Sequence, residues 1–345
     1  MDYKELLHIT INNNRISKEE IQEMVITSDS HLDDVFLFLK SWFDESKELQ
    51  IQSSGSTGNP KLISIPKQSF IESAKNTCDF LSLNSDTNAL LCIPVKYIGG
   101  KMMVIRALYS SYNLFVDAPS SNPLNGINND VDFIALTPMQ AQISLTKFPK
   151  KLEGIKNVII GGGSVSVSFT EKINSFQNAI YSTYGMTETL SHIALRKLSA
   201  NSKSNYFEVF PSYSISINKD DCLVIDCPTL SKKKIETNDI VKLNGNKFIF
   251  IGRKDNVINT GGIKVNPEEI EKKLSPFLNK IPFYITSLKD EILGEKVVLV
   301  TENRSIKLDK LKDTNHGLDS YSFPKEIINE IISLTETGKI IRKKY

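Results

Sequence analysis

From residue 62 to about residue 200, short apolar segments of strand length alternate with amphipathic segments of helical length. The apolar run at 158–160 and the segment at 67–83 are examples of the two kinds. Strands joined through helices in this rhythm form a layered α/β domain. Because ligands of such sheets bind beyond the carboxyl ends of the strands, we expect function in the loops that follow them. These loops are 94–100, 161–164 and 183–189.

The regions on either side follow other patterns. Residues 1–48 are predicted to be helical, and Ser17-Lys18-Glu19-Glu20 has the S-x-x-E form of a capping box. From 207 to 250 the apolar period falls to two, which predicts a small β subdomain with a hairpin turn at Asn244-Gly245-Asn246. The remaining residues predict a compact α+β unit that ends in a helix near 324–334.

The change of pattern after the β subdomain sets the predicted domain boundaries. We place a large α/β domain with its small β subdomain at 1–252, a hinge at 253–255, and a small mobile α+β domain at 256–345. A chain of 345 residues is long enough for two domains of ordinary size.

Composition excludes several classes of protein. Hydrophobic residues make up 40% and charged residues 24%, as in soluble globular proteins, and the net charge of +2 calls for neither nucleic acid nor an anionic membrane as partner. The four cysteines and four histidines are scattered, so we expect no zinc site. The N-terminus has no signal-peptide pattern, and no apolar run is long enough for membrane insertion, so we expect a cytoplasmic protein. A homodimer is compatible with this composition.

A loop rich in serine and glycine occupies 53–61, between two β-leaning apolar segments. Its backbone N–H groups and hydroxyls could wrap a polyphosphate, and Lys61 would add a positive charge. The spacing of a Walker A loop is absent. A flexible surface turn is the alternative reading of the composition. The members of the loop are Ser53, Ser54, Gly55, Ser56, Thr57, Gly58, Asn59, Pro60 and Lys61.

Three further positions carry side chains suited to nucleotide chemistry. Thr187 and Glu188 could hold Mg²⁺ together with phosphate oxygens, unless Glu188 is simply a solvated loop acid. Asp239 and Arg253 could bind the hydroxyls of a ribose, or could form a surface ion pair. Lys339 follows a flexible Thr-Gly turn and could carry a charge into a site, although terminal lysines usually belong to frayed tails.

Four sequence motifs occur in a fixed order along the chain. They are S-S-G-S-T-G-N-P-K, then Y-G-M-T-E-T, then G-R-K-D-N-V-I followed by Gly261 and Gly262, and finally T-G-K-I with a trailing arginine. Together they resemble the adenylate-forming superfamily of acyl-CoA synthetases, luciferases and peptide-synthetase adenylation domains, over about residues 50–345. The resemblance implies that ATP and a carboxylic acid form an acyl-AMP and pyrophosphate. A thiol, commonly that of CoA, then displaces AMP.

The resemblance also implies roles for individual residues. Ser53 to Lys61 would hold pyrophosphate, and Thr187 and Glu188 would bind phosphate and Mg²⁺. Lys339 would stabilise charge in the adenylation step, and Asp255 would be the hinge. The nucleotide would be bound further by Gly161, Gly162, Gly163, Tyr184, Gly185, Asp239 and Arg253, and CoA would pass Gly261 and Gly262.

The chain departs from the superfamily pattern in three places. Only 52 residues precede the phosphate loop, so the N-terminus is shortened. The usual T-G-D is Thr237-Asn238-Asp239, and Tyr97 stands where many relatives have a histidine gate.

Three features, namely the short N-terminus, the run Gly-Met-Thr-Glu-Thr-Leu-Ser-His at 185–192 and the helix start Gly-Gly-Lys-Met-Met at 99–103, look most like the o-succinylbenzoate–CoA ligases of menaquinone biosynthesis. That acid has a second carboxylate, which needs a cation or hydroxyl donors. The predicted acid-binding residues are Tyr97, Gly100, Lys101, Ser191 and His192. Other aryl- or acyl-CoA ligases, a stand-alone adenylating enzyme and a catalytically dead nucleotide-binding relative stay open as alternatives.

Overall fold

A computed structural model describes residues 1–27, 29–52, 62–127, 130–199, 204–228, 233–278, 281–314, 316–334 and 340–345. The chain forms two compact units. The first contains Met1–Ser164, Ile173–Ser214 and Asp226–Ile235; the second contains Val165–Lys172, Ile215–Ile225 and Glu236–Tyr345. Among the described residues, no helix is both long and apolar enough to cross a bilayer.

The first unit is built on a mostly parallel sheet. The strands of the unit are β1 (His8–Ile11), β2 (Asn14–Ser17), β3 (Glu48–Gln52), β4 (Leu62–Pro66), β5 (Asn88–Leu91), β6 (Asn113–Val116), β7 (Phe133–Leu136), β8 (Asn157–Ile160), β9 (Ala179–Gly185), β10 (His192–Lys197) and β11 (Phe207–Val209). Of these, β3 and β4 form a separate two-stranded sheet. Its helices are α1 (Lys18–Glu23), α2 (His31–Phe43), α3 (Lys67–Leu81), α4 (Ile98–Ser110), α5 (Pro138–Lys147) and α6 (Pro149–Gly154).

The order of strands in this sheet places the candidate site. It runs β11-β10-β9-β8-β7-β5-β6-β1-β2, and β9, β8, β7, β5 and β6 pair in parallel. Every residue of β7 and β8 is buried, as expected for strands covered on both faces. After β5 the chain adds β6 on one side and then β7 on the other, so the connections diverge there. Such a reversal opens a ligand crevice at the carboxyl ends of the strands.

The strands of the second unit fall into two groups, which belong to different sheets. The strands β12 (Ser214–Ile217), β13 (Cys222–Asp226), β14 (Ile235–Asn244) and β15 (Lys247–Arg253) pair in that order. In the other sheet the order is β17-β16-β19-β18, and β20 pairs with β19. The remaining strands are β16 (Ile258–Thr260), β17 (Ile263–Val265), β18 (Phe283–Asp290), β19 (Gly294–Thr301) and β20 (Glu326–Asn329), and the helices are α7 (Val167–Lys172), α8 (Pro267–Leu274) and α9 (Leu308–Lys312).

The predicted layered α/β fold class is confirmed, and so is the hairpin at Gly245, where Asn244 pairs with Lys247. The capping box at Ser17 is present at the start of α1. The predicted hinge at 253–255 stays a prediction; β14 and β15 lie within the second compact unit.

Two local predictions were wrong. Residues 8–17 form the hairpin β1–β2 instead of helix, because the positive φ of Asn12 and Asn13 turns the chain and β1 then extends the sheet beside β6. The predicted final helix contains the strand β20, because pairing with the buried strand β19 outweighs local helical propensity.

Candidate functional site

The loop between β9 and β10 is closed tightly by its own hydrogen bonds. It contains a short 3-10 helix, Thr187–Thr189, in which Glu188 is exposed. The hydroxyl of Thr189 lies 3.0 Å from the carbonyl of Met186 and 2.9 Å from that of Ser191, and it accepts the Met186 N–H at 3.0 Å. The loop therefore has few other conformations available to it.

Leu190 adopts a rare backbone conformation within this loop. Its φ of +63° and ψ of −48° form a γ-turn, in which the Ser191 N–H donates to the Thr189 carbonyl at 2.7 Å. Such a conformation costs about 1–3 kcal/mol in a residue other than glycine. The side chain of Leu190 is fully buried, and this burial fixes the turn. As a result, Glu188 faces solvent while Ser191 is turned toward the interior.

Gly185 is required where β9 enters the loop. A Cβ atom there would overlap the Ser191 carbonyl and lie 2.5 Å from the His192 Cα. Only glycine lets the two ends of the loop approach this closely.

The residues predicted to line the adenine slot lie beside each other. Gly161 follows β8, and a Cβ at this position would lie 2.7 Å from the Thr183 hydroxyl of β9. Gly162 has a φ of +84°, and Gly163 follows it. The Tyr184 ring is 5.7 Å from that of Phe207. These contacts bring the glycines and Tyr184 to neighbouring strand ends; their role in binding adenine stays a prediction.

The loop after β5 meets the first turn of α4. Tyr97 precedes the helix, and a Cβ on Gly100 would overlap the Pro94 carbonyl and lie 2.7 Å from that of Ile93. Lys101 also lies in this turn, but its ammonium sits 4.9 Å from the centre of the Phe38 ring of α2. Burial lowers the pKa of Lys101.

An arginine that sequence analysis did not single out, Arg106 of α4, lies beside the predicted acid-binding residues. It is 2% exposed, and its Nη2 donates to the Ser191 hydroxyl at 3.3 Å. Its Nε has no hydrogen-bond partner, and the described groups that act on its charge are Tyr112 and Cys78, neither of them a carboxylate. Burial lowers its pKa. A signal was available in the sequence, because Arg106 is the one charge inside the apolar run 102–108.

His192 completes this buried wall. It is 8% exposed, and its Nε2 is 3.0 Å from the hydroxyl of Thr77 on α3. Burial, and then the nearby Arg106 cation, hold the pKa of His192 well below its usual range, so the imidazole is neutral. The structure therefore groups Ser191 and His192 with Arg106, whereas the Lys101 ammonium packs on Phe38.

In the second unit the predicted ribose and hinge residues form one cluster. Asp239 and Arg253 are paired across β14 and β15, with Arg253 Nε 3.7 Å from Asp239 Oδ1. Arg253 Nη2 is also 3.3 Å from Asp255 Oδ2. Asn238 Nδ2 donates to the two Asp255 carboxylate oxygens at 3.3 and 3.1 Å. Asn238, which replaces the usual glycine, thus binds the predicted hinge residue directly.

Gly261 and Gly262 form the turn between β16 and β17. Their φ values are +60° and +82°. The Gly261 N–H donates to the Leu293 carbonyl at 2.8 Å, and a Cβ there would lie 3.5 Å from the Tyr321 ring. The backbone is therefore open to close approach on the side of Gly262, where added atoms would meet nothing.

Two predicted parts of the site lie outside the described residues: the phosphate loop, Ser53 to Lys61, and Lys339. Their flanks are described. Gln52 pairs with Leu62 in the predicted hairpin of β3 and β4, and Leu334 pairs with Ile340.

The donor set at Glu188 fits magnesium rather than a metal held by the protein alone. Within the described ranges, no three His, Cys, Asp or Glu side chains form a metal-binding group. Mg²⁺ usually binds one or two carboxylates, substrate phosphates and water. The exposed carboxylate of Glu188, next to Thr187 in the sequence, is compatible with this kind of coordination.

Comparison with known proteins shows the family and the fold of the chain. Residues 49–234, more than half of the chain, match the model of a family described as AMP-binding enzyme. Curated relatives named 2-succinylbenzoate–CoA ligase include those of Haemophilus influenzae, 23% identical over 72% of this chain and 58% of that protein, and Escherichia coli, 22% identical over 82% and 66%. The chain thus spans less than two thirds of the length of these two ligases.

Solved structures show the same fold. An acyl-CoA synthetase (AMP-forming)/AMP-acid ligase II-like protein from Dyadobacter fermentans is 31% identical, with 94% of this chain and 96% of that chain covered and a TM-score of 0.66. The O-succinylbenzoate Coenzyme A synthetase of Bacillus subtilis, in complex with ATP and magnesium ion, is 17% identical over 85% and 71%, with a TM-score of 0.71.

Proposed function

Because the chain belongs to the AMP-binding enzyme family, we propose that it is an acid–thiol ligase that activates a carboxylic acid with ATP and passes the acyl group to CoA. The acid's carboxylate attacks the α-phosphorus, giving an acyl-adenylate and pyrophosphate. The thiol of CoA then attacks the acyl carbon, giving a thioester and AMP. The acid is o-succinylbenzoate, as in the ligases that the chain resembles, and the pathway is menaquinone biosynthesis.

The buried guanidinium of Arg106 is the observation that carries the choice of acid. An unpaired charge in the interior costs several kcal/mol, and a bound ligand of opposite charge would offset that cost. The described neighbours of Arg106 offer a serine hydroxyl and a neutral imidazole. A substrate with two carboxylates can react at one and neutralise Arg106 with the other, whereas a monocarboxylate leaves the guanidinium unpaired.

The nucleotide residues act by holding charge and position. Ser53 to Lys61 bind the leaving pyrophosphate, and Asp239 and Arg253 bind the ribose. Lys339 approaches during adenylation, when a carboxylate must meet a polyanion. Thr187 and Glu188 would hold Mg²⁺, which would supply positive charge for the phosphates when bound. Rotation about Asp255 then brings the turn at Gly262 to CoA.

The experiment that tests this function measures pyrophosphate release with ATP, Mg²⁺ and o-succinylbenzoate, and thioester formation when CoA is added. Parallel reactions contain 4-oxo-4-phenylbutanoate, which lacks the aromatic carboxylate, and then benzoate, a medium-chain fatty acid and an amino-acid mixture. We expect CoA-dependent turnover with o-succinylbenzoate and a much lower kcat/KM with 4-oxo-4-phenylbutanoate.

The other outcomes separate the alternatives. Equal turnover of the two matched acids would contradict the role of Arg106. Turnover restricted to a monocarboxylate would replace the substrate with that of another acyl-CoA ligase, and adenylation without thioester formation would indicate a stand-alone adenylating enzyme. ATP binding without turnover of any acid would indicate a catalytically dead relative.

A further inference from the structure

Thr77 and His192 are joined across two elements that are distant in sequence. Thr77 lies on α3 and is fully buried; His192 begins β10 and packs its ring 5.5 Å from that of Phe210. The 3.0 Å contact between Thr77 Oγ1 and His192 Nε2 is the polar contact that ties these elements together at this point. The hydroxyl of Thr77 is also 3.4 Å from the Ser73 carbonyl, one turn earlier on α3.

We propose that Thr77 and His192 form a positioning pair that holds the Ser191 hydroxyl and the Arg106 guanidinium at the acid pocket while leaving the guanidinium charge for the second carboxylate of the substrate. This inference rests on the function proposed above and adds a determinant of its specificity. Neither residue of the pair needs to touch the reacting atoms.

The first step of the argument is mechanical. His192 directly follows Ser191, so a ring anchored at Nε2 also restrains the backbone that carries the Ser191 hydroxyl. The other side of this backbone is packed against Gly185 without room for a Cβ. Ser191 is thus restrained on both sides, and its hydroxyl in turn fixes Arg106 Nη2 at 3.3 Å.

The second step is electrostatic. Besides Ser191 and His192, the described groups that affect Arg106 are Cys78 and Tyr112. Burial raises the pKa of Cys78 to about 11 and the pKa of Tyr112 above its usual range, so both are neutral at physiological pH. An acidic side chain at any of these places would form an internal ion pair with Arg106 and compete with the substrate. The neutral ring of His192, held by the Thr77 hydroxyl, fills the space without forming an ion pair with Arg106.

The test compares Thr77→Val, which removes the hydroxyl at nearly constant volume, with Thr77→Ser, which keeps it. Thr146→Val is a matched control, because the Thr146 hydroxyl also contacts a carbonyl one helical turn earlier, that of Gln142 at 2.8 Å, but is exposed and far from any imidazole contact. For each purified full-length variant, kcat and KM are measured with o-succinylbenzoate and with 4-oxo-4-phenylbutanoate. The tautomer of His192 is read from its ¹⁵N chemical shifts.

We expect Thr77→Val to lower the preference for the diacid roughly 5- to 10-fold, mainly through KM, because a buried hydrogen bond contributes about 1–1.5 kcal/mol. Its kinetics with the monoacid should not change, and the His192 nitrogen signals should move. Thr77→Ser and Thr146→Val should behave like the wild type.

Equal losses with both acids would mean that Thr77 is merely structural and would overturn the proposal, and so would an unchanged preference. A wild type without any preference for the diacid would instead contradict the proposed function, and the positioning role would fall with it. Failure of the proposed function is therefore read from the wild type, and failure of this inference from the Thr77→Val variant.

Discussion

The two arginines that face predicted ligands lie in opposite surroundings. Arg106 is 2% exposed and has only neutral side chains around it within the described part of the chain. The side chain of Arg253 is 47% exposed and lies between the carboxylates of Asp239 and Asp255. Exposed pairs contribute little to stability and exchange partners easily, whereas an unpaired buried charge is costly until a ligand arrives. The exposed arrangement of Arg253 suits a nucleotide that must be bound and released, and the buried arrangement of Arg106 suits selection of a diacid.

Replacing the buried arginine would break this comparison most strongly. We expect Arg106→Met to lower kcat/KM for o-succinylbenzoate about 150- to 5000-fold, since breaking a buried charge pair costs about 3–5 kcal/mol. The free energy of unfolding should rise at the same time, because an unpaired buried charge is removed. Kinetics with the two matched acids check the expected fall in kcat/KM, and urea unfolding checks the expected rise in the free energy of unfolding.

A matched control for that variant is Arg196→Met. Arg196 is also largely buried, but its guanidinium lies 4.9 Å from the centre of the Phe207 ring. Its removal should destabilise the fold and leave the preference for the diacid unchanged. A diacid preference that survives in Arg106→Met would contradict the assignment of Arg106.

A substitution at Gly185 would disturb the backbone that carries Ser191 and His192. In Gly185→Ala the new methyl group would overlap the Ser191 carbonyl, so we expect a loss of about 2–3 kcal/mol in the free energy of unfolding. Gly154→Ala at the end of α6, where a Cβ meets nothing within 4 Å, should be neutral or slightly stabilising. Urea unfolding measures both variants. Equal stability would mean that the loop can move to accommodate a Cβ at Gly185.

The buried imidazole should be visible in the pH dependence of stability. The pKa of His192 in the folded protein is below its unfolded value of about 6.5, so the unfolded chain binds more protons between those two values. The free energy of unfolding should therefore fall as the pH drops below about 6.5, by up to about 1.4 kcal/mol per pH unit. This contribution of His192 to the pH dependence should be absent in His192→Gln. Urea unfolding at several pH values measures the difference.

His31→Gln provides the comparison for this effect. Burial lowers the pKa of His31 as well, but Asp34 and Asp117 raise it in part. The change in pH slope should have the same sign and be smaller than for His192→Gln. A pH slope in His192→Gln identical to that of the wild type would contradict a buried neutral imidazole.

The smallest effect is expected on the exposed side of the comparison. Asn238→Gly restores the usual glycine and removes the hydrogen bonds to Asp255. We expect at most about 1 kcal/mol of destabilisation, because the cluster is exposed and a glycine in a strand costs little more. Urea unfolding and the KM for ATP measure this. A destabilisation well above about 1 kcal/mol, or a large rise in the KM for ATP, would contradict the weak role expected for this exposed cluster.

Local patterns in the sequence were enough for much of this protein. The alternation after residue 62 predicted the layered α/β fold, and four contiguous motifs identified the family, because each motif needs particular residues at fixed short spacings. The tight loop entry at Gly185 and the turn at Gly261 follow from the same local requirements. Pairing with strands further along the chain was not readable, which is why β1, the partner of β6, and β20, the partner of β19, were missed. The hairpin partner β2 was missed together with β1.

The grouping of Thr77, Arg106, Ser191 and His192 was decided only by the tertiary structure. Thr77, Arg106 and His192 come from α3, α4 and β10, and nothing in their local sequence relates them to each other. Whether an arginine is simply a solvated charge or can select a charged ligand depends on its burial and on the sum of the charges around it. That sum exists only after the chain has folded, because it includes groups more than a hundred residues apart.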